Sequence, residues 1–398
     1  MRSSIAAVCL LFMIGCGPEA VVNDYQIRVV WDSNPQNTAS FVWTEMSLEQ
    51  ENSASSSLEI ARDSDFTQIH AYDKATIKRE QYTNHRLFQK NENPLVVFVK
   101  ITDLLPKTTY YIRVLRGENT SQTYNFTTAP EEGEFTLLIG GDSRSDQVQR
   151  RAINHEIATY ISANPQAIAF SHGGDYVADG SDWRQWSHWL NDWQLTYVEG
   201  KITPIIPTRG NHETDKLLYN QIFGYPGNEQ NIMLTKIGAL RLLTLNSEES
   251  VYGSQMRWLE SELIAGFAEK DSWTVVNYHR PAYPAFKRPA VTGQWVPLFE
   301  KFGVRLALES DGHTFKKTVP IFEDKRDPDQ GVIYLGEGGL GVKQRTPKTQ
   351  RWYFQDDGLA LAQHHFIIAS VSKDSLELTA VNELGESFHN FTLWPRSR

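Results

Sequence analysis

From Pro130 onward, short apolar runs alternate with segments of helical periodicity, and five of the runs lead into a residue able to bind a metal ion. Phe135 to Ile139 runs into Gly140-Gly141-Asp142, and Ala167 to Phe170 into Gly173-Gly174-Asp175. Ile205-Ile206 opens Pro207-Thr208-Arg209-Gly210-Asn211-His212-Glu213, Trp273 to Asn277 leads to His279, and Val304 to Leu308 to His313. Between the runs, apolar residues fall at helical spacing: Ile153, Ile157 and Tyr160; Trp183, Trp186, Leu190 and Trp193; Met256, Leu259 and Leu263. Such alternation predicts an α/β domain with its site at the carboxyl ends of the strands. The tryptophan stripe at this spacing reads as core in preference to a carbohydrate platform. Past Val332 the chain reads as strands around a glycine-rich turn from Gly336 to Gly341.

Any one of these polar residues alone would be an ordinary turn or a satisfied histidine. Together, Asp142, Asp175, Asn211, His279 and His313 offer two carboxylates, an amide oxygen and two imidazoles. That mixed oxygen and nitrogen set suits Zn, Fe or Mn, and suits Ca or a thiolate-bound metal poorly. The chain has 398 residues and a formal net charge of -9, which gives no reason to expect nucleic acid as a partner. A small anion is compatible with this charge wherever a metal supplies local positive potential.

Ahead of the α/β pattern, residues 22–130 read as all-β, with alternation through Tyr25, Ile27 and Val29 and β-rich runs separated by polar turns. Leu104-Leu105-Pro106-Lys107-Thr108-Thr109-Tyr110 matches an L-x-P-x-T-x-Y corner and resembles fibronectin type III domains, in which the tyrosine hydroxyl ties back to the corner backbone. The first residues are signal-like: Arg2, an apolar run from Ile5 to Ile14 too short to span a bilayer, then Gly15-Cys16-Gly17. Met13-Ile14-Gly15-Cys16 resembles a bacterial lipobox, which makes residues 1–16 the signal peptide and lipobox, with Cys16 the lipidated first residue of the mature chain. Cys9 then leaves with the signal, so the mature domains contain no thiol. The expected location is the bacterial cell envelope, lipid-anchored, with Gly17 pointing to the outer membrane in a Gram-negative host.

The order Gly141-Asp142, Gly174-Asp175, Gly210-Asn211-His212-Glu213, His279 and Gly312-His313 resembles the calcineurin-like metallophosphoesterase superfamily. The preceding fibronectin-like module makes purple acid phosphatases the nearest familiar pattern. The resemblance implies a four-layer αββα domain over residues 131–398, preceded by the all-β sandwich. It also implies that Asp175 bridges two metals, that Asn211, His279 and His313 complete one site, and that Asp142 serves the other. His212 would protonate the leaving oxygen or stabilise the transition state from outside the coordination sphere. The activity implied is hydrolysis of phosphate mono- or diesters by a metal-bound hydroxide.

Three positions depart from the pattern. The second histidine of G-H-x-H is Phe315, the metal-binding tyrosine of purple acid phosphatases is replaced by Ala178, and Asp142-Ser143-Arg144 stands where other relatives have D-x-H. Tyr176, Asp179, Glu309 and Asp311 are the candidates to substitute, and Arg144 is placed to bind phosphate with its planar fork. One ion is therefore expected to bind tightly and a second more weakly. The alternative to an enzyme is a catalytically silent surface lipoprotein that uses the fold for binding.

Overall fold

In the computed structural model, which describes residues 25–47, 55–83, 93–225, 230–269 and 273–395, the apolar runs form strands buried on both faces. Phe135–Gly140 and Ala167–His172 are buried along nearly their whole length, as parallel strands covered by layers on either side must be. Parallel pairing links Phe135–Gly140 to Ala167–His172, and that strand to Ile205–Pro207, with Gly140 opposite His172 and His172 opposite Pro207. The three strands end level with one another. The turns that carry Asp142, Asp175 and Asn211 therefore leave from one edge.

A second, seven-stranded sheet repeats the arrangement. Leu240–Thr244, Trp273–Asn277 and Leu306–Glu309 are parallel neighbours, with Thr244 opposite Asn277 and Asn277 opposite Leu308. Its strands alternate sharply: Leu240, Leu242, Val275, Leu306 and Leu308 join the cluster shared with the first sheet, while Leu243, Val276 and Ala307 join an outer cluster with Leu259, Leu263 and Phe299. The two sheets are pinned near their carboxyl ends by Asn277, whose Nδ2 donates to Ser171 Oγ at 2.9 Å and Thr208 Oγ1 at 3.0 Å.

Among the described residues, five α-helices flank the sheets: α1 (Gln147–Ala163), α2 (Trp183–Trp193), α3 (Lys216–Phe223), α4 (Ser254–Ala268) and α5 (Val296–Lys301). The first three each start at an aspartate, Asp146, Asp182 or Asp215, whose side chain accepts a backbone N–H of the first turn. Helix α1 buries Ile153, Ile157 and Ile161, and α2 buries Trp183, Trp186, Trp189 and Trp193, all in the cluster of the first sheet. The tryptophan stripe is therefore core, as its spacing predicts. Each such ring removes roughly 150–250 Å² from water, about 4–6 kcal/mol before conformational entropy is subtracted. Helices α4 and α5 cover the outer face of the second sheet. The layers run helix, sheet, sheet, helix.

The all-β module shows the expected corner: Leu105 N–H donates to the Tyr110 hydroxyl at 2.9 Å. Its two sheets differ in their connections. Ser57–Ala61, Thr109–Arg116, Asn119–Thr120 and Tyr124–Thr127 form a sheet of their own. Arg28–Val30, Ala39–Ser47, Asn93–Ile101 and Lys78–Gln81 instead continue the sheet of the α/β domain, because Val30 pairs in parallel with Ile205. The result is one ten-stranded sheet running through both modules. Tyr82 stacks on Trp183 at 4.0 Å, and the buried Arg28 donates through Nε to Ile222 O. Residues 1–24, with Cys16 and the expected lipobox, lie outside the described residues, among which no helix is long and apolar enough to cross a membrane.

Candidate metal centre

Each ligand candidate sits just past a strand end, and several are held in left-handed backbone conformations. Asp142, Asp175, Asp311 and His313 have φ of 56°, 57°, 69° and 58°. Such conformations cost on the order of 1–3 kcal/mol each and persist only where the surroundings enforce them. Here the enforcement is visible. Asp142 N–H donates to Gly174 O and Ser143 N–H to Asp175 O, both at 2.9 Å, which locks the first two turns together. The Glu213 carboxylate accepts the backbone N–H groups of Asp175, Tyr176 and Gly210 at 2.9, 3.0 and 2.9 Å. Glycine is required at two points: a Cβ on Gly210 would lie 2.4 Å from Asp175 Oδ1, and one on Gly338 would lie 1.8 Å from Asp142 Oδ2.

The structure brings all seven site candidates of the α/β domain to this edge. Asp142, Asp175 and His279 are buried, with donor atoms within 4.8 Å of one another. His279 Nε2 lies 3.3 Å from Asp175 Oδ1 and 3.2 Å from Asn211 Oδ1. His279 Nδ1 stands 2.8 Å from Gly173 O, so Nδ1 carries the proton and Nε2 is presented to the cluster. His313 Nε2 lies 3.3 Å from Asp142 Oδ1, which puts it with Asp142, whereas the resemblance grouped it with Asn211 and His279. His212 Nδ1 is 2.6 Å from Ala178 O and its Nε2 is 3.8 Å from Asp175 Oδ2. Arg144 Nε is 3.4 Å from the same oxygen.

These residues fit a metal ion. Asp142 Oδ1 and Asp175 Oδ2 are buried and accept no hydrogen bond, and a buried carboxylate oxygen left this way is costly unless a cation meets it. Burial raises the Asp175 carboxyl, but the His279 imidazole together with His212 holds the group below its usual range. Asp311 follows the same logic: burial opposes, His279 and then Lys287 prevail, and its pKa falls to about 2. His279 itself is driven down by burial, but Asp175, Asp311 and Asp142 together raise it well above its ordinary value. Two buried carboxylates, Asp175 and Asp311, are thus met from within by Arg144, Lys287 and His279.

Of the four substitute candidates, only Asp311 reaches the cluster, with Oδ1 3.6 Å from His279 Nε2. Tyr176 is buried, its ring stacked on His172 at 3.8 Å and packed against Trp189 and Phe223. Asp179 is exposed and turns its Oδ1 to Ser181. Glu309 is held by the Tyr278 hydroxyl, the Ala282 N–H and Lys316. Phe315 packs edge-on against His365 and Phe388 at 5.1 and 5.0 Å, a core contact. Two functional contributions escaped the sequence reading. Lys287, from the loop after His279, pairs with Asp311, and Glu213 clasps the Asp175 turn. A lysine in an irregular loop carries no local signal of its target, whereas Glu213 stood inside the motif.

Comparison with known proteins agrees with this geometry. Residues 24–128 match the family model of the purple acid phosphatase N-terminal domain, and residues 129–316 match that of calcineurin-like phosphoesterases. Residues 129–316 thus form a calcineurin-like phosphoesterase domain, of a class of phosphatase-like hydrolases. The domain before it is of the kind found at the N-terminus of purple acid phosphatases. The chain is similar to a purple acid phosphatase from yellow lupin (Lupinus luteus) seeds, with a TM-score of 0.77 and 14% identity over 94% of this chain and 75% of that one. It is also similar to PhoD, with a TM-score of 0.67 and 11% identity over 96% and 92% of the two chains. GAP50, described as the anchor in the inner membrane complex of Plasmodium, matches 67% of this chain and 90% of its own, with a TM-score of 0.50 and 11% identity. At these identities the solved structures speak to the fold alone.

Proposed function

We propose that this protein hydrolyses phosphate mono- or diesters outside the cytoplasm, in a metal-dependent reaction, while anchored to the cell envelope through a lipid on Cys16. The observation that carries the catalytic part is the pair of buried carboxylate oxygens, Asp142 Oδ1 and Asp175 Oδ2, that accept no hydrogen bond beside two imidazoles and an arginine. A transition-metal ion held here would supply Lewis acidity to the phosphoryl group and would activate water at neutral pH. Asp175, Asn211 and His279 hold one position for it, and Asp142 with His313 the other. Arg144 presents its guanidinium to a phosphoryl oxygen from the Asp175 side. His212, with Nδ1–H fixed on Ala178 O, has only Nε2 free to give a proton to the leaving oxygen as the P–O bond breaks.

The anchor rests on the Gly15-Cys16 junction. Mass spectrometry of the mature N-terminus is expected to find an acylated Cys16. An unmodified soluble chain would remove the anchor and leave the catalytic proposal standing.

A second reading, binding without turnover, is favoured by the seating of Arg144 on Asp175 and Lys287 on Asp311, which lets the carboxylates be neutralised by side chains. One structural relative, described as an anchor, is compatible with such a use of the fold. Elemental analysis of metal per chain, run alongside hydrolysis of mono- and diesters, separates the two. Metal with turnover supports the enzyme, and metal without turnover on any ester supports binding.

A further inference from the structure

The oxygen neighbours of His279 Nε2 are spaced like the corners of a coordination polyhedron. Ligand bonds of about 2.0–2.2 Å put adjacent donor atoms roughly 2.8–3.6 Å apart, the shorter separations belonging to octahedral and the longer to tetrahedral geometry. Around His279 Nε2, Asn211 Oδ1 lies at 3.2 Å, Asp175 Oδ1 at 3.3 Å and Asp311 Oδ1 at 3.6 Å. His313 is occupied elsewhere, with Nε2 3.3 Å from Asp142 Oδ1. A carboxylate thus stands around His279 where the resemblance would put an imidazole.

The backbone accounts for the exchange. Asp311 sits in a left-handed turn and donates its own N–H to Asp142 Oδ2 at 2.9 Å, which ties the turn to the first carboxylate and leaves the Asp311 side chain on the His279 side. Asp311 is 3% exposed, so its charge is not left to solvent. Its Oδ1 meets the ammonium of Lys287, whose side chain is 33% exposed and comes from a different loop. That ammonium is a cation on the very oxygen that faces His279.

We propose that Asp311 is the fourth ligand of the His279-centred metal position, and that Lys287 is the internal cation which gives Asp311 up when the ion enters. The proposal rests on the metallophosphoesterase reading for the presence of an ion, but on these distances alone for the identity of the ligand. Release leaves the Lys287 ammonium at the mouth of the site, able to meet an anionic phosphoryl oxygen. Replacing a neutral imidazole by a carboxylate also adds one negative charge to the donor set, which favours harder ions such as Mn over Zn.

Titration of Co²⁺ into the chelator-stripped full-length protein tests this, read by calorimetry and by the visible absorption of the bound ion, with no ester present. Asp311→Asn is expected to weaken binding at the tighter position by about ten- to a hundredfold or more and to change the absorption spectrum. Lys287→Met is expected to tighten it, because a competing cation is removed. A merely structural ion pair would make both variants weaken binding alike, and that outcome overturns the proposal. So does wild-type affinity and spectrum in Asp311→Asn, or a Lys287→Met variant that binds no more tightly than the wild type. Should Asp311→Asn fail to fold, Lys287→Met decides alone. Failure to hydrolyse any ester by a protein that shows these shifts would sink the catalytic reading and spare the ligand assignment.

Discussion

His212 and His279 illustrate how one side-chain type takes two roles through its backbone partner. Both place Nδ1 on a carbonyl oxygen, Ala178 O and Gly173 O respectively, but His279 is fully buried with Nε2 among carboxylates, whereas His212 keeps about a third of its side chain exposed. His212→Ala is therefore expected to lower kcat by on the order of a hundredfold or more while retaining the metal content of the wild type. Loss of metal from that variant would contradict the role. A different histidine carries a pH prediction. Burial pushes His365 down to about 4, so the unfolded chain, near 6.5, binds a proton that the folded one refuses between those values. On acidification through that window the wild type loses stability, by up to about 1.4 kcal/mol per pH unit from this group. His365→Phe lacks the term, and the stability difference between wild type and variant should shrink from pH 6.5 to about 4. A difference that stays constant in urea titrations at several pH values would refute it.

At the level of elements, the level ends of the parallel strands do most to make the site, because they place five turns from two sheets around one point. The Glu213 clasp then sets the Asp175 turn. Glu213→Gln turns one acceptor into a donor facing a backbone N–H, and should cost about 1–3 kcal/mol in urea unfolding; an unchanged midpoint would show the clasp to be dispensable. Much of this was legible in the chain. Apolar runs that end in Gly-Asp or Asn-His report strand and turn together, the tryptophan spacing reports a buried helix face, and Tyr110 reports its own corner bond. What could not be read has a physical reason. The partner of Asp311 is a lysine 24 positions earlier whose loop has no periodicity, and the turn from Asp311 to His313 directs the imidazole to Asp142 through backbone angles that residue types do not encode. Phe315 was legible as a lost ligand, but its packing on His365 and Phe388 depends on strands that arrive much later in the chain.

For the whole molecule, the chief consequence of the topology is that the two modules share a sheet. Val30 pairs with Ile205 across 175 positions, a register that no local pattern reveals. Residues 129–398 produced without the first module would expose the edge of Ile205–Pro207, strip Tyr82 from Trp183 and uncover buried Ile222, and should aggregate or unfold. A monodisperse, cooperatively unfolding fragment in sedimentation and circular dichroism would contradict the shared-sheet account. The two proposed metal positions should also differ in strength: Asp175, Asn211 and His279 converge on one, while the other has Asp142 and His313, with Arg144 seated on Asp175 between them. The account predicts one ion retained through purification and activity that rises with added divalent metal beyond one equivalent, whereas two equally tight ions would overturn it. The central claim, metal-dependent phosphoester hydrolysis, is tested most directly by assaying the full-length protein on phosphate mono- and diesters before chelation, after it, and after return of Zn or Mn, with metal per chain measured in each state. Hydrolysis that disappears with the metal and returns with it is the predicted result, and a metal-loaded protein that turns over none of the esters is the contradicting one.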